Sequence, residues 1–455
     1  MSTGKKNTLC NKKNVLYTRK EVETHNTAED CWVIYNGYVY NLTEWLKYHP
    51  GSPNTIVRFA GMDVTDEMRA FHPNWVMKSK LPQFLIGVLK NPEAPSPVQS
   101  DFRNLMTFFE AQGYFKPDLS FYFVKCGLVL ALWLNCWFML IYFDSNIVHF
   151  FAAVLLGVFF QQTAFIGHDT GHCSVNVNRA KDTQLGLIVG NLMTGISIGW
   201  WKATHNTHHA VPNSVFDDPD IAHLPLFAVN SRMFDSLYNT YHERVMPFDW
   251  LAKNVFIPYQ HFLYYPIMML ARVNLYVQGI LRLTYRSDCY KAREEWTTMF
   301  GFFLWMGLML YQLNSTTMCG IFLFVSHAVA GILQVQITLS HFSKPVNEGK
   351  SVQYGGDFYT RNIIASMDVD CYSFMDWFHG GLQFQTLHHC FPRMGRQHLR
   401  KTLPYIKELC RKHGIRYSSK SFFDANVEIY RCLRETAQKS RYWAPQIWDS
   451  VNAQG

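Results

Sequence analysis

No Cys-x-x-Cys pair occurs in this chain: its 11 cysteines are scattered singly. That excludes a zinc ribbon and gives no sign of a disulfide scaffold, so a reducing, cytosol-facing environment is the simpler expectation. A glycine-rich phosphate loop, a heptad run and an internal repeat are all missing, which argues against nucleotide-driven and solenoid functions. Charge is scarce. Only 17% of the 455 residues are charged and the net value is +8. The basic residues collect near candidate membrane edges and in the C-terminal tail, which suits anionic headgroups or acidic partners and not nucleic acid. The opening residues, 1–20, are polar and basic without an apolar core, so they do not form a signal peptide and the N-terminus is expected in the cytosol.

Apolar and aromatic residues are abundant, at 48% and 16%. That is rich for a soluble enzyme and low for a pure membrane bundle, so a soluble part joined to a membrane part is expected. Histidine is the informative residue. His205, His208 and His209 fall at i, i+3 and i+4, which puts them on one face of a helix. His168 and His172 repeat the i, i+4 pair, and Gln385, His388 and His389 repeat the triple with glutamine first. Neutral imidazole ligates iron, zinc or copper, and only folding can unite clusters spread from His168 to His389.

Residues 18–90 read as a small α+β unit. Cys31 to Tyr35 and Tyr38 to Tyr40 are strand-like around an Asn36-Gly37 turn, and Asn41 to Leu46 looks like a capped helix start. His49 and His72 follow; facing each other across a pocket they can ligate haem iron axially, while taken alone they read more readily as ordinary polar or capping histidines. Asp63, Asp66, Glu67 and Glu44 around them would give a negative rim suited to a basic redox partner. Residues 91–100 carry three prolines and read as a stiff linker. Four spans are expected, over 121–143, 147–167, 297–313 and 318–339, each pair returning the chain to the cytosolic face. Residues 184–199 and 254–280 are interrupted by glycine, proline or charge and read as interfacial.

Seven clustered histidines, with His341 at the end of the last span, exceed the needs of one zinc. Eight imidazoles and one amide can surround two metal ions. These residues resemble a family. His168-Asp-Thr-Gly-His172, His205-Asn-Thr-His-His209 and Gln385-Thr-Leu-His-His389 are similar to the boxes of front-end lipid desaturases with a fused N-terminal cytochrome b5 domain. The resemblance implies a multidomain chain: a cytochrome b5-like haem domain (18–90), the linker (91–100), and an α-helical membrane desaturase domain (101–440) with four transmembrane helices and a cytosolic di-iron cap. By the same resemblance His168, His172, His205, His208, His209, His341, His388 and His389 are iron ligands, and Gln385 binds iron or orients a bound water. His49 and His72 are the axial ligands of haem b; the usual His-Pro-Gly-Gly reads His-Pro-Gly-Ser here, with Ser52 last.

The activity implied by the resemblance is an O2-dependent removal of two vicinal hydrogens from a lipid chain. Electrons would come from NADH through a separate cytochrome b5 reductase, at the endoplasmic reticulum membrane, with haem and di-iron sites facing the cytosol. Gly199 to Lys202, Asp218 to Pro225 and Tyr259 to Phe262 look like the plant group of delta-8 sphingolipid and delta-6 acyl desaturases. His223 and the motif ending at His341 lean toward delta-8 desaturation of sphingolipid long-chain bases. The alternatives are delta-6 or other front-end desaturation of polyunsaturated acyl chains, a di-iron lipid hydroxylase, and a non-catalytic haem membrane protein.

Overall fold

Alternating apolar residues and one tight turn build the N-terminal unit. In this computed structural model, which describes residues 15–49, 53–286, 289, 291–347 and 356–452, with side chains to 441, β2 (Trp32–Tyr35) and β3 (Tyr38–Asn41) form the expected hairpin. Asn36 and Gly37 take φ of 50° and 74° at its turn, the left-handed backbone that this pair tolerates best. With β1 (Leu16–Tyr17) and β4 (Leu85–Leu89) they make a four-stranded sheet in the order β1-β4-β3-β2, β1 parallel to β4. The segment after Asn41 winds as a 3-10 helix, Thr43–Tyr48, and not as an α-helix. Helix α1 (Thr65–Phe71) then leads into His72. Pro50, Gly51 and Ser52 lie outside the described residues.

The proline-rich linker is shorter than expected. Helix α2 (Pro97–Ala111) starts inside it, because proline at the first position needs no N–H partner there and Ser96 and Gln99 form a capping box. Phe102, Leu105, Met106 and Phe109 are buried against Phe358, Tyr359 and Phe391, so α2 packs on protein.

Helices α3 (Leu119–Tyr142) and α4 (Asn146–Gly171) are long and apolar enough to cross a bilayer, as is Thr316–Leu339, which comprises α8 (Thr316–Ala330) and α9 (Ile332–Leu339). Among the described residues these are three such helices, where four were expected. The missing one forms helix α7 (Ala292–Tyr311), but its first turn carries Arg293, Glu294 and Glu295, and the apolar remainder falls short of the roughly 20 residues a bilayer core needs. Glu295 is buried and accepts hydrogen bonds from Asn191 Nδ2 (3.2 Å), Gly199 N (3.3 Å) and Ser197 Oγ. These bonds tie α7 to the start of α5 (Ile198–Ala210). Farther along, Phe302, Trp305, Met306 and Met309 join the same apolar cluster as α3 and α4. Between α5 and α7 runs α6 (Gln260–Tyr285), which continues through Pro266.

Gln161 and Gln162 turn inward, as their cost in lipid demands: Gln161 Nε2 donates to Gln336 Oε1 (2.9 Å) and Gln162 Nε2 to the Trp377 carbonyl (2.9 Å). The short helix carrying Trp377 (Asp376–His379) ends close to α4 at Gly380, where φ is 60° and an added Cβ would collide with the Phe165 ring. Gly380→Ala therefore combines backbone strain with overpacking. It is expected to cost about 1–3 kcal/mol, read as a lowered midpoint in thermal unfolding of the detergent-solubilised chain; an unchanged midpoint would contradict the close approach.

Candidate metal centre

Four helix ends meet at one place. His168 stands in the last turn of α4 and His172 caps it. His205, His208 and His209 fill one face of the last turns of α5. His341 follows α9, and α11 (Gln385–Cys390), packed against α10 (Phe358–Ile364), supplies Gln385, His388 and His389. Except for His168, which is partly exposed, all are buried. The structure thus brings together all nine residues singled out from the three boxes and His341. His49 and His72 form a separate pair, and His398 and His413 lie apart, the latter on Asp101 at 2.7 Å.

The imidazoles form two adjacent sets. Ligand atoms of His168, His172, His205 and His388 lie within 4.8 Å of one another, and so do those of His208, His341 and His389. His209 stands between them, its Nε2 3.0 Å from His205 Nε2 and its ring stacked on His389 with centroids 4.1 Å apart. The Gln385 amide lies 3.2 Å from both His341 Nε2 and His389 Nε2. Neighbouring ligands on one metal sit about 3–4 Å apart when each bond is about 2 Å, so these separations suit ions held between the rings.

Buried acceptors behind the rings decide which nitrogen carries hydrogen. His208 Nδ1 meets Asp218 at 2.9 and 3.0 Å, His341 Nδ1 meets the Ala365 carbonyl at 3.1 Å, and His389 Nδ1 meets Asn362 Oδ1 at 3.1 Å. His168 Nδ1 lies 3.2 Å from Asp169, and His205 Nδ1 3.7 Å from Asp220. With Nδ1–H donating, each Nε2 presents a lone pair inward, the arrangement of metal-binding histidines. Meanwhile His168 Nε2, His172 Nε2, His388 Nε2 and Gln385 Oε1 are buried with no hydrogen-bond partner. Each such atom costs about 1–3 kcal/mol if left empty. Four together fit a metal-binding role.

Electrostatics agree. Burial, then the neighbouring imidazoles, holds His172, His209, His341, His388 and His389 well below the usual histidine value. Burial takes His205 down to about 4 against the pull of Asp220. These rings are neutral at physiological pH, the form that ligates. His208 is the exception: burial lowers it, but Asp218 and Asp220 outweigh that and raise it to about 9. Asp218 also accepts from the backbone N–H of Asn213 (2.7 Å) and Asp220 (2.8 Å), and it is buried against the rings. Asp218→Asn keeps the shape and removes the charge. It is expected to weaken metal binding roughly 10- to 100-fold, measured as iron retained per chain against a chelator series.

Asn362 and the Ala365 carbonyl escaped sequence reasoning, since no spacing links them to the boxes. Trp201 is stacked on His205 (4.3 Å between centroids), and Gly171 is required beneath it because a Cβ would enter the indole ring.

In the N-terminal unit the His49 and His72 ring centroids are 6.2 Å apart. An iron bonded to a nitrogen of each ring, at about 2 Å per bond, needs roughly this separation. His72 Nδ1 is buried without a partner, and burial together with His49 and Arg393 holds this imidazole neutral, down to about 3. The acids around the pair serve another end than expected. Asp66 binds Arg103 and Glu67 binds Arg361, both within this chain, so half of the negative rim is already covered by a basic partner.

Residues 18–90 match the cytochrome b5-like haem/steroid binding domain, and residues 145–421 match the fatty acid desaturase family. The chain belongs to the fatty acid desaturase family. Over 96% of each chain it is 39% identical to the delta(8)-fatty-acid desaturase of Helianthus annuus. It is 36% identical to the acyl-lipid (9-3)-desaturase of Borago officinalis, over 96% of this chain and 98% of that one. A delta 8-(E)-sphingolipid desaturase of Lachancea kluyveri is 30% identical over 94% of both. This desaturase is thus an oxidoreductase of the fused type, a membrane protein with front-end, O2-dependent activity on lipid chains. Its cytochrome b5-like domain implies electron donation from a partner.

Proposed function

We propose that His168, His172, His205, His208, His209, His341, His388 and His389 hold two irons, with the Gln385 amide completing the second set, and that His49 and His72 hold haem b. The observation that carries this reading is the pair of adjacent imidazole sets: in the first, the buried Nε2 atoms of His168, His172 and His388 lack partners, and in the second, Asp218, the Ala365 carbonyl and Asn362 hold Nδ1 of His208, His341 and His389. With O2 and electrons, bound irons supply oxidation strong enough for an unactivated methylene pair, and haem supplies the electrons singly. The balance is one O2, two electrons and two protons for two hydrogens removed, giving a carbon–carbon double bond and two waters. The chain's own part is to keep His172, His205, His209, His341, His388 and His389 neutral, to orient the rings, to exclude bulk water by burial, and to hold a lipid chain in register. NADH would feed the haem through a separate cytochrome b5 reductase, and the site would face the cytosol at the endoplasmic reticulum membrane.

For the substrate, polyunsaturated acyl chains rank first. The plant relatives at 39% and 36% identity carry fatty-acid and acyl-lipid descriptions, and the sphingolipid description belongs to a fungal relative at 30%. That order favours the acyl alternative over the long-chain-base reading that His223 suggested. Long-chain bases stay second, on the fungal relative's description. Yeast expressing the chain and fed C18 polyunsaturated acids tests both. A new front-end double bond in acyl lipids with unchanged long-chain bases is expected. A new delta-8 bond confined to the bases moves the substrate to sphingolipids, and hydroxyl groups in place of unsaturation overturn the desaturase reading.

A further inference from the structure

The two cores meet at one aromatic ring. Phe71, the last residue of α1, packs with the N-terminal cluster of Leu46, Phe59 and Leu81 and also with the desaturase cluster of Phe102, Phe358 and Leu387. Its ring stands edge-on to the His209 imidazole, with centroids 6.4 Å apart at 86°, and lies 6.3 Å from Phe358. His72 is the next residue in the chain. From the other side, Ala210 and Val211, directly after His209, enter the apolar core of the N-terminal unit.

Three arginines fix α1 in this position. Arg361 pairs with Glu67 at 3.1 Å, Arg103 grips Asp66 through two nitrogens at 2.6 and 3.0 Å, and Arg393 donates to the carbonyls of Ala70 (3.0 Å) and Arg69 (3.2 Å). The last contact also places a cation on the negative end of α1. Planar, two-pronged guanidinium contacts set orientation as well as distance. They therefore define where Phe71 points.

We propose that Phe71 is the coupling residue through which electrons pass from the His72 side to the His209 side, with Arg361, Arg103 and Arg393 as its positioning residues. Electronic coupling falls much more steeply across a gap than along bonds. One peptide unit plus one ring contact bridges the two histidines with a single through-space step. Each passage oxidises the donor side by one electron and reduces the acceptor side by one, and two passages serve each O2. This role for Phe71 rests on the desaturase reading proposed for the two metal sites.

The test uses the full chain, with haem and iron, in nanodiscs of microsomal lipid from yeast fed linoleic acid. Haem is reduced by NADH and cytochrome b5 reductase without oxygen, then mixed with oxygenated buffer while its absorption is followed; His208→Ala gives the background rate. Phe71→Leu is expected to slow reoxidation roughly tenfold above that background, with the haem spectrum, the NADH-driven reduction rate and the iron content unchanged, and Phe71→Tyr restores it. Where leucine disturbs the haem spectrum, Phe71→Met offers similar volume without a ring, and the same slowing is expected. Reoxidation at the wild-type rate in a ringless variant with an intact spectrum overturns the proposal. A wild-type rate equal to the His208→Ala background overturns the desaturase reading itself, a failure distinct from the first.

Discussion

His208→Ala is expected to bring the new double bond below detection in lipid profiles while haem absorption stays intact. His208 Nε2 lies 3.3 Å from His341 Nε2 inside the second set, and its Nδ1 engages the buried Asp218. Removing the ring takes one nitrogen from a three-histidine set and leaves that carboxylate facing a void. The chain should still fold, because Asp218 keeps its bonds from Asn213 N and Asp220 N. Losing one buried hydrogen-bond partner then costs about 1–3 kcal/mol, seen as a modestly lowered unfolding midpoint. Iron per chain should fall in the same samples. A double bond retained at the wild-type level would remove His208 from the centre, whatever the iron content.

The parts of this molecule that were legible in the sequence are those written at short range. Histidines at i, i+3 and i+4 share a face in any helix, and Asn36-Gly37 turns a hairpin wherever alternating strands flank it. Long apolar runs likewise announced α3 and α4. What escaped depended on residues distant in sequence. Glu295 stands just outside the expected span 297–313, and only folding shows that it anchors α7 to Asn191, Ser197 and Gly199. Asp66 and Glu67 looked like a docking face for another protein, because acidic residues near a haem site carry no mark of their partner. Arg103 and Arg361, 37 and 294 residues away, already occupy them. Nothing in the sequence marks Phe71 beside His72, since its contact with His209 exists only once the two units dock. Pro97 read as linker, although a proline following a capping serine is also a sound helix start.

His72→Ala is the second change with a large expected effect, and it separates the two metal sites. His72 reaches its position through α1, whose last-turn carbonyls are held by Arg393, and its neutral ring faces His49 across 6.2 Å. Alanine removes one of the two nitrogens that bis-histidine ligation of haem requires. The purified chain is then expected to lose its Soret absorption and its NADH-driven product formation. Iron bound at the box histidines should remain, because none of their hydrogen bonds involves residue 72. The α1 clamp also survives, since Glu67 and Asp66 keep their arginines, so loss of product cannot be assigned to undocking. Two results would sink the assignment: an unchanged Soret band, which would leave His72 a packing residue, or parallel loss of both haem and iron, which would mean that the two sites do not fold independently. His49→Ala should reproduce the spectral loss, because the ligand pair fails from either side.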